Sequence, residues 1–352
     1  MKLGLVGLPQ VGKKTLFELL TGQVPGLDRP LPGLAEVRDK RFDRLVDLYG
    51  PKKRTPALID FVMLQNMDTV ADRNRELFQH FEKVDVICYV ARSFVDDTVF
   101  HVDGNVNAER DINTFAEELE LGDLIFIEKR LERIEKEVGK KLAPVDADKE
   151  RDLMTRMKDH LEEGKTLVSF SFSQEDERII SSYPFLTRKP VVVVLNVGEG
   201  EIGDDERIAK LNEEYAPKGF RWIAISAQVE QEISQLDDEE RLAFLTDMGI
   251  ESPAIDRLTL LCYEALGLIS FFTVGEDEVR AWTIRSGSRA PQAGRAIHQD
   301  IERGFIRTEM MRYQDLLELG SEAKVKDAGK LTQKGKDHVV EDGEIHHFLF
   351  KV

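Results

Sequence analysis

Five short runs rich in β-branched and aliphatic residues punctuate the first 267 positions, at 2–7, 57–63, 85–90, 190–196 and 221–226. Several lack the apolar–polar alternation of a strand with one wet face. VVVVLN at 191–196 is apolar almost throughout, as strands covered on both faces of a parallel sheet are. Amphipathic segments lie between the runs. Together they predict an α/β domain with a mainly parallel sheet.

One stretch breaks this rhythm. From residue 108 to about 141 the chain is charge-rich, and Leu124, Ile127, Leu131, Ile134 and Val138 recur at steps of three and four, a heptad seam on a long helix. After a turn around 143–145, Met154, Met157 and Leu161 repeat the spacing, so an antiparallel helical hairpin is expected. Two strands of the α/β domain follow it, which reads as an insertion. Past residue 267 come short strands at 269–274, 279–284, 338–340 and 346–351 and a helix near 293–303, the pattern of a small α+β module. The expected division is therefore 1–105 with 170–267, an inserted hairpin at 106–169, and a C-terminal module at 268–352.

Composition narrows the function classes. With 41% hydrophobic and 33% charged residues in 352, the chain is an ordinary globular one, long enough for two or three domains. A net charge of −17 argues against general affinity for nucleic acid. The acidity is uneven, since residues 268–352 carry 13 Lys/Arg against 14 Asp/Glu. Within them Arg285, Arg289, Arg295, Arg303, Arg307 and Arg312 face only Asp300, Glu302 and Glu309, which marks the arginines as candidate RNA-phosphate contacts, with a solvated face as the plainer alternative. Cys88 and Cys262 are too few for a disulfide framework or a four-ligand zinc site. No apolar run reaches the ~18 residues of a membrane span and no signal-peptide core follows Met1, so a cytoplasmic protein without membrane contact is expected.

The candidate chemistry begins at GLPQVGKKT, residues 7–15. A phosphate-binding loop reads G-x-x-x-x-G-K-[ST]: backbone N–H groups cradle the phosphates, the Lys neutralises them, and the hydroxyl ligates Mg²⁺. Here Gly7, Gly12 and Lys13 fit, between a strand and a helix as the motif requires, and Lys14 stands at the metal-ligand position. Asn196-Val197-Gly198-Glu199 ends a buried strand where α/β sheets bind ligands, and Ser226-Ala227 ends the next. Each of these two signals is weak alone, but their order along one chain reinforces them.

These motifs, with ISAQVEQEISQLDDEER and above all FFTVGEDEVRAWTIRSGSRAPQAGRAIHQDIERGFIR and the closing DAGKLTQKGKDHVVEDGEIHHFLFKV, resemble the YchF / Obg-like ATPase family over essentially the full length. The resemblance implies a P-loop G domain, a helical hairpin inserted into it and a C-terminal TGS domain. It also implies a purine nucleotide, ATP or GTP, with ATP favoured by N-x-x-E, and association with ribosomes. Carried over by position, Gly7, Gln10, Val11, Gly12, Lys13, Lys14 and Thr15 surround the phosphates, Asn196, Val197 and Glu199 lie by the base, and Ser226 and Ala227 complete its pocket.

The departures from the family pattern fall on one function. Lys14 replaces the metal-binding serine and Gln10 an asparagine. The switch strand PALIDFVMLQNM puts Met63 at the Asp position and Asn66 at the Gly, and reading Asp60 as the Asp instead puts Met63 at the Gly. The switch-I threonine has no counterpart. Hydrolysis needs Mg²⁺ held by a loop hydroxyl and a strand-end carboxylate. The expectation is nucleotide binding that does without Mg²⁺, Lys14 adding charge in its place, with little or no turnover. A working ATPase with non-standard metal coordination and a nucleotide-free ribosome- or RNA-binding protein are the rivals.

Other features read more plainly. Trp282, Phe271 and Phe272 are better core residues than base-stacking ones. His346 and His347 point to opposite faces of a strand and show no partners at ligand spacing, so no metal site is expected. Lys129, Arg130, Arg133, Lys136, Lys140 and Lys141 form an exposed basic flank on the hairpin, solvated or facing RNA.

Overall fold

The structure, a computed structural model, describes residues 2–26, 30–139, 147–250 and 252–351. They form two compact units, Met1–Gly33 with Asp60–Ile255, and Leu34–Ile59 with Asp256–Val352. The chain begins β1 (Lys2–Gly7), α1 (Lys13–Thr21), β2 (Leu31–Glu36), α2 (Lys40–Tyr49), β3 (Lys53–Thr55) and β4 (Leu58–Met63). Next come α3 (Arg75–Phe81), β5 (Val86–Arg92), α4 (Ala108–Gly139), α5 (Ala147–Glu162) and α6 (Gln174–Ile180). Then follow β6 (Val191–Asn196), α7 (Asp205–Tyr215), β7 (Phe220–Ile225), α8 (Ala227–Gln235) and α9 (Asp238–Asp247).

These strands build a sheet in the order β2-β4-β1-β5-β6-β7, parallel from β4 to β7. Every residue of β5 and β6 is buried, which is why neither shows alternation. Arg92 pairs with Asn196 and Asn196 with Ile225, so the carboxyl ends of β5, β6 and β7 lie level. That edge is where such sheets bind ligands.

The 32-residue α4 serves two cores. Its first half presses Ile112, Phe115, Ala116 and Leu119 onto the sheet, with Phe115 stacked 4.3 Å from Tyr89. Its second half packs Ile127 against Leu153, Met154, Met157 and Leu161 of α5, with Leu124 and Leu131 beside them. Arg130 grips Glu150 at 2.6 and 2.7 Å while Glu128 meets Lys158 at 2.9 Å, an order of pairs that makes the helices antiparallel. Arg130, expected on an exposed flank, is thus largely covered and spoken for, and Tyr183 donates to the same carboxylate. Lys140, Lys141 and the Val138 side chain lie outside the described residues. Between the two halves sits buried Asp123, which accepts from the Leu186 and Thr187 amides at 2.8 Å and the Thr187 hydroxyl at 2.7 Å. Desolvation nevertheless pushes its carboxyl up to about 6.

The second unit is entered at α10 (Ala254–Ala265), followed by β8 (Leu268–Thr273), β9 (Glu278–Arg285), α11 (Ala290–Ile297) and α12 (Gln299–Arg303). It ends with β10 (Phe305–Arg312), α13 (Tyr313–Leu319), α14 (Glu322–Asp327), β11 (Thr332–Lys334) and β12 (Glu344–Phe350). Its sheet runs β11-β10-β12-β8-β9-β3, parallel at β12/β8 and β3/β9 and antiparallel elsewhere. Phe271, Ile301, Phe305 and Phe348 fill the core, Phe272 is also fully buried, and Trp282 packs against the core while its indole N–H donates to Thr273 at 2.9 Å. The segment expected as a strand at 338–340 makes only an isolated bridge, Val339 to Arg289.

Between β2 and β4 of the first sheet, α2 and β3 group with this unit, although they lie in the span 1–105 expected to form the first domain. The cause is local pairing: β3 hydrogen-bonds along β9, Lys52 meets Asp277 at 2.7 Å, and Arg41 forks between Asp39 and Asp342, each at 2.7 Å.

Candidate nucleotide site

β1 ends at Gly7, where a Cβ would lie 2.6 Å from the Val90 carbonyl of β5, so only glycine lets the strand pass. The chain then turns through Gln10 at φ 60 and Gly12 at φ 91. Gln10 is the one non-glycine residue in the left-handed region among those described, and a glutamine there is strained where asparagine is less so. Helix α1 starts at Lys13 with no side chain capping its first amides. Uncapped N–H groups and the helix dipole together make an anion seat.

Asn196, 3% exposed at the end of β6, fixes the loop. Its amide donates to the Val11 carbonyl at 2.9 Å and its oxygen accepts from the Ala227 N–H at 3.0 Å. One side chain thereby ties the loop to the first turn of α8. The fit leaves no space at Gly12, where a Cβ would fall 2.2 Å from the Asn196 amide nitrogen. Ser226, Ala227 and Val197 are buried around this tie, and Glu199 is exposed in the turn beyond. The structure thus gathers Gly7 to Thr15 with Asn196 and Ala227.

Lys13 is 5% exposed and donates from Nζ to the Leu64 carbonyl at 2.6 Å. Lys14 is exposed and Thr15 half-buried on the same turn. Beyond β4 the chain stays in register with the loop's own strand: Leu64 N–H donates to Leu5 at 2.9 Å and Met67 N–H to Gly7 at 3.0 Å. Met63 lies opposite Leu5 with its side chain in the core. Asp60, the other candidate carboxylate of this strand, lies opposite Lys2, at the far end of β1 from the loop. The two positions that hold Mg²⁺ in the motif are thus occupied by Lys14 and Met63. An ammonium and a thioether stand where a hydroxyl and a carboxylate are needed, and an ammonium has no lone pair to give a cation.

Sequence reasoning missed Arg92. It is 1% exposed, and its guanidinium donates to the carbonyls of Phe94, Asp96, Val99 and Phe100 at 3.2, 3.3, 3.0 and 3.4 Å while lying 4.5 Å over the Phe94 ring. The loop it gathers also donates Ser93 and Phe94 N–H to the Asn196 carbonyl. Farther along, His101 Nε2 lies 3.1 Å from buried Asp111 at the start of α4. Carbonyl partners leave no mark in a sequence, so nothing in it signals Arg92.

In the other unit Arg285, Arg289, Arg295, Arg303 and Arg307 are all exposed. Arg289 pairs with Asp337 at 2.7 Å and Arg295 with Glu302 at 3.5 Å; Arg285, Arg303 and Arg307 have no ion-pair partner among the described residues.

Comparison with known proteins places the chain. The family model YchF-GTPase_C, described as a protein of unknown function (DUF933), matches residues 268–351. The "Ribosome-binding ATPase YchF" of Bacillus subtilis is 38% identical over 364 residues, covering 99% of each chain. "Obg-like ATPase 1" of Oryza sativa is 35% identical over 372 residues, covering all of this chain and 92% of that one. Among solved structures, that of the Schizosaccharomyces pombe YchF GTPase superposes with a TM-score of 0.85 at 32% identity, over 99% of this chain and 97% of the other. With such identity sustained from end to end, the chain belongs to the YchF family.

Proposed function

We propose that the protein binds a purine nucleoside triphosphate, ATP or GTP, at the loop 7–15 without needing Mg²⁺, hydrolyses it slowly or not at all, and works in association with the ribosome. The observation that carries the metal-independent part is Lys14, exposed on the first turn of α1 where the motif requires a hydroxyl. Burial of Met63 supports the same reading, because no carboxylate of that strand reaches the loop. The uncapped start of α1, Lys13 and Lys14 offer amide donors and two positive charges to a polyphosphate. The Asn196 tie supports a loop held in shape for that ligand. Ribosome association rests on relatives named ribosome-binding ATPases and on exposed Arg285, Arg303 and Arg307, which have no ion-pair partner among the described residues.

The rival, a working ATPase with non-standard metal coordination, is favoured by the relatives' names alone. Binding of labelled ATP and GTP, with Mg²⁺ or with EDTA, separates the readings. Affinity unchanged in EDTA, with turnover no higher than in Lys13→Ala, is the expected result. Strict Mg²⁺ dependence with turnover establishes the ATPase, and no binding of either nucleotide leaves an interaction protein. Lys14→Ser should raise Mg²⁺ dependence; if it does not, the role given to Lys14 is wrong. Co-sedimentation with ribosomes tests the remaining part.

A further inference from the structure

The second unit holds a group of side chains that the nucleotide site does not use. Alternation along β12 turns His347 outward and buries Glu344 and His346 on one face. The loop between β11 and β12 then brings His338 to the same point. His338 Nε2 lies 2.9 Å and His346 Nε2 3.0 Å from a single carboxylate oxygen, Oε2 of Glu344. All three ligand atoms lie within 4.8 Å of one another. The His346 side chain is 0% and that of Glu344 4% exposed, while His338, at 15%, forms the rim.

From this geometry we infer that His338, Glu344 and His346 form a binding site for a borderline divalent transition cation, zinc foremost, with water from the His338 side as the fourth ligand. Two imidazoles and a carboxylate are a zinc donor set, and Zn–N and Zn–O bonds of about 2.0–2.2 Å put tetrahedral ligand atoms roughly 3.3 Å apart. The two measured edges need to open by only a few tenths of an ångström. Closing the third falls to the His338 ring, the member at the rim.

The outer contacts point the same way. His346 Nδ1 lies 3.1 Å from the Thr308 hydroxyl, which lies 3.1 Å from the His347 carbonyl. With the hydroxyl proton on that carbonyl, Nδ1–H donates to Thr308 and the Nε2 lone pair faces the Glu344 carboxylate. In that tautomer the Nε2 lone pair is open to a metal, and a hydrogen-bonded second nitrogen is how ligating histidines are held; without metal, a proton on Nε2 makes the 3.0 Å contact a hydrogen bond to Oε2, which also accepts from the Glu341 N–H at 3.1 Å. The site also has a mechanical consequence. The His338 carbonyl accepts from Ala290 N–H and Val340 N–H donates to Ser288, each at 2.9 Å, so the loop a metal would clamp is the one that braces the turn before α11, next to Arg289.

The test uses the full-length, tag-free chain stripped with a chelator, titrated with zinc or cobalt and no nucleotide. Expected are one equivalent bound, a rise in melting temperature, and for Co²⁺ a visible absorption band of tetrahedral strength. His338→Ala should weaken binding by about tenfold or more, since even outer-sphere partners are worth that much. His347→Ala, on the opposite face, should leave it unchanged. Imidazole ¹⁵N shifts in the unmutated chain report the same thing without a variant: zinc should move the Nε2 signals of His338 and His346 alone. Absence of binding, or binding of equal strength in His338→Ala, overturns the assignment, as do ¹⁵N shifts at other histidines only.

Discussion

Replacing Asn196 by alanine tests whether the loop at 7–15 is held as the geometry implies. The change leaves the Val11 carbonyl and the Ala227 N–H without their partner, both in residues under 5% exposed. An orphaned buried polar group costs about 1–3 kcal/mol, so allowing for some access of water the pair should cost about 2–4 kcal/mol. Asn196→Asp sharpens the test. It keeps an acceptor for Ala227 but sets a carboxylate oxygen against the Val11 carbonyl 2.9 Å away, so it should be at least as costly as alanine despite its near-identical shape. Trp222 is 3% exposed on β7 in the same unit, and in a Trp282→Phe background its fluorescence follows that unit alone through urea unfolding. With a urea slope of about 2.5 kcal/mol/M, the midpoint should fall by about 1–1.5 M. An alanine variant within about 0.5 kcal/mol of its parent, or an aspartate variant as stable as it, would refute the clamp.

Three further outcomes follow from other contacts. Gln10→Gly relieves a left-handed backbone and should stabilise the first unit by about 1 kcal/mol, read as a raised urea midpoint. Arg92→Met strips four carbonyls of their donor and should cost about 3 kcal/mol or more, with hydrogen exchange of the 93–101 loop accelerating before that of the sheet. Asp123 titrates at about 6 when folded, above its unfolded value, so its contribution to stability is complete in acid and is lost as pH rises through 6. Relative to Asp123→Asn, the parent should therefore gain about 1 kcal/mol on going from pH 7.5 to 5.5, and a parallel pH dependence of the two would show that the carboxyl is not raised.

Much of this was legible where one physical rule dominates. β5 and β6 announce themselves because burial on both faces demands unbroken apolar runs, and the seam through Ile127 does so because helices pack on one stripe. β10 hides for the opposite reason, its apolar Phe305, Met310 and Met311 being offset by a register shift between Phe305 and Arg307. β3 is three polar residues long and exists only through β9. In the site, the loop glycines and Asn196 were readable as a motif, but what Asn196 grips was not, since both its partners are backbone atoms. His338 escaped because its companions are brought to it by a loop and not by spacing along a strand.

The pairing of β3 with β9 also has a consequence in time. Lys52 waits for Asp277, 225 residues downstream, and at about 5–20 residues per second the ribosome needs roughly 10–45 s to deliver it. For that interval β3 has no strand to join, although β2 and β4 on either side of it belong to the first sheet. A growing chain must keep this early strand in reserve until its last quarter emerges. Any fragment begun at residue 268 would be born with the edge of β9 bare, a template for pairing with its own copies.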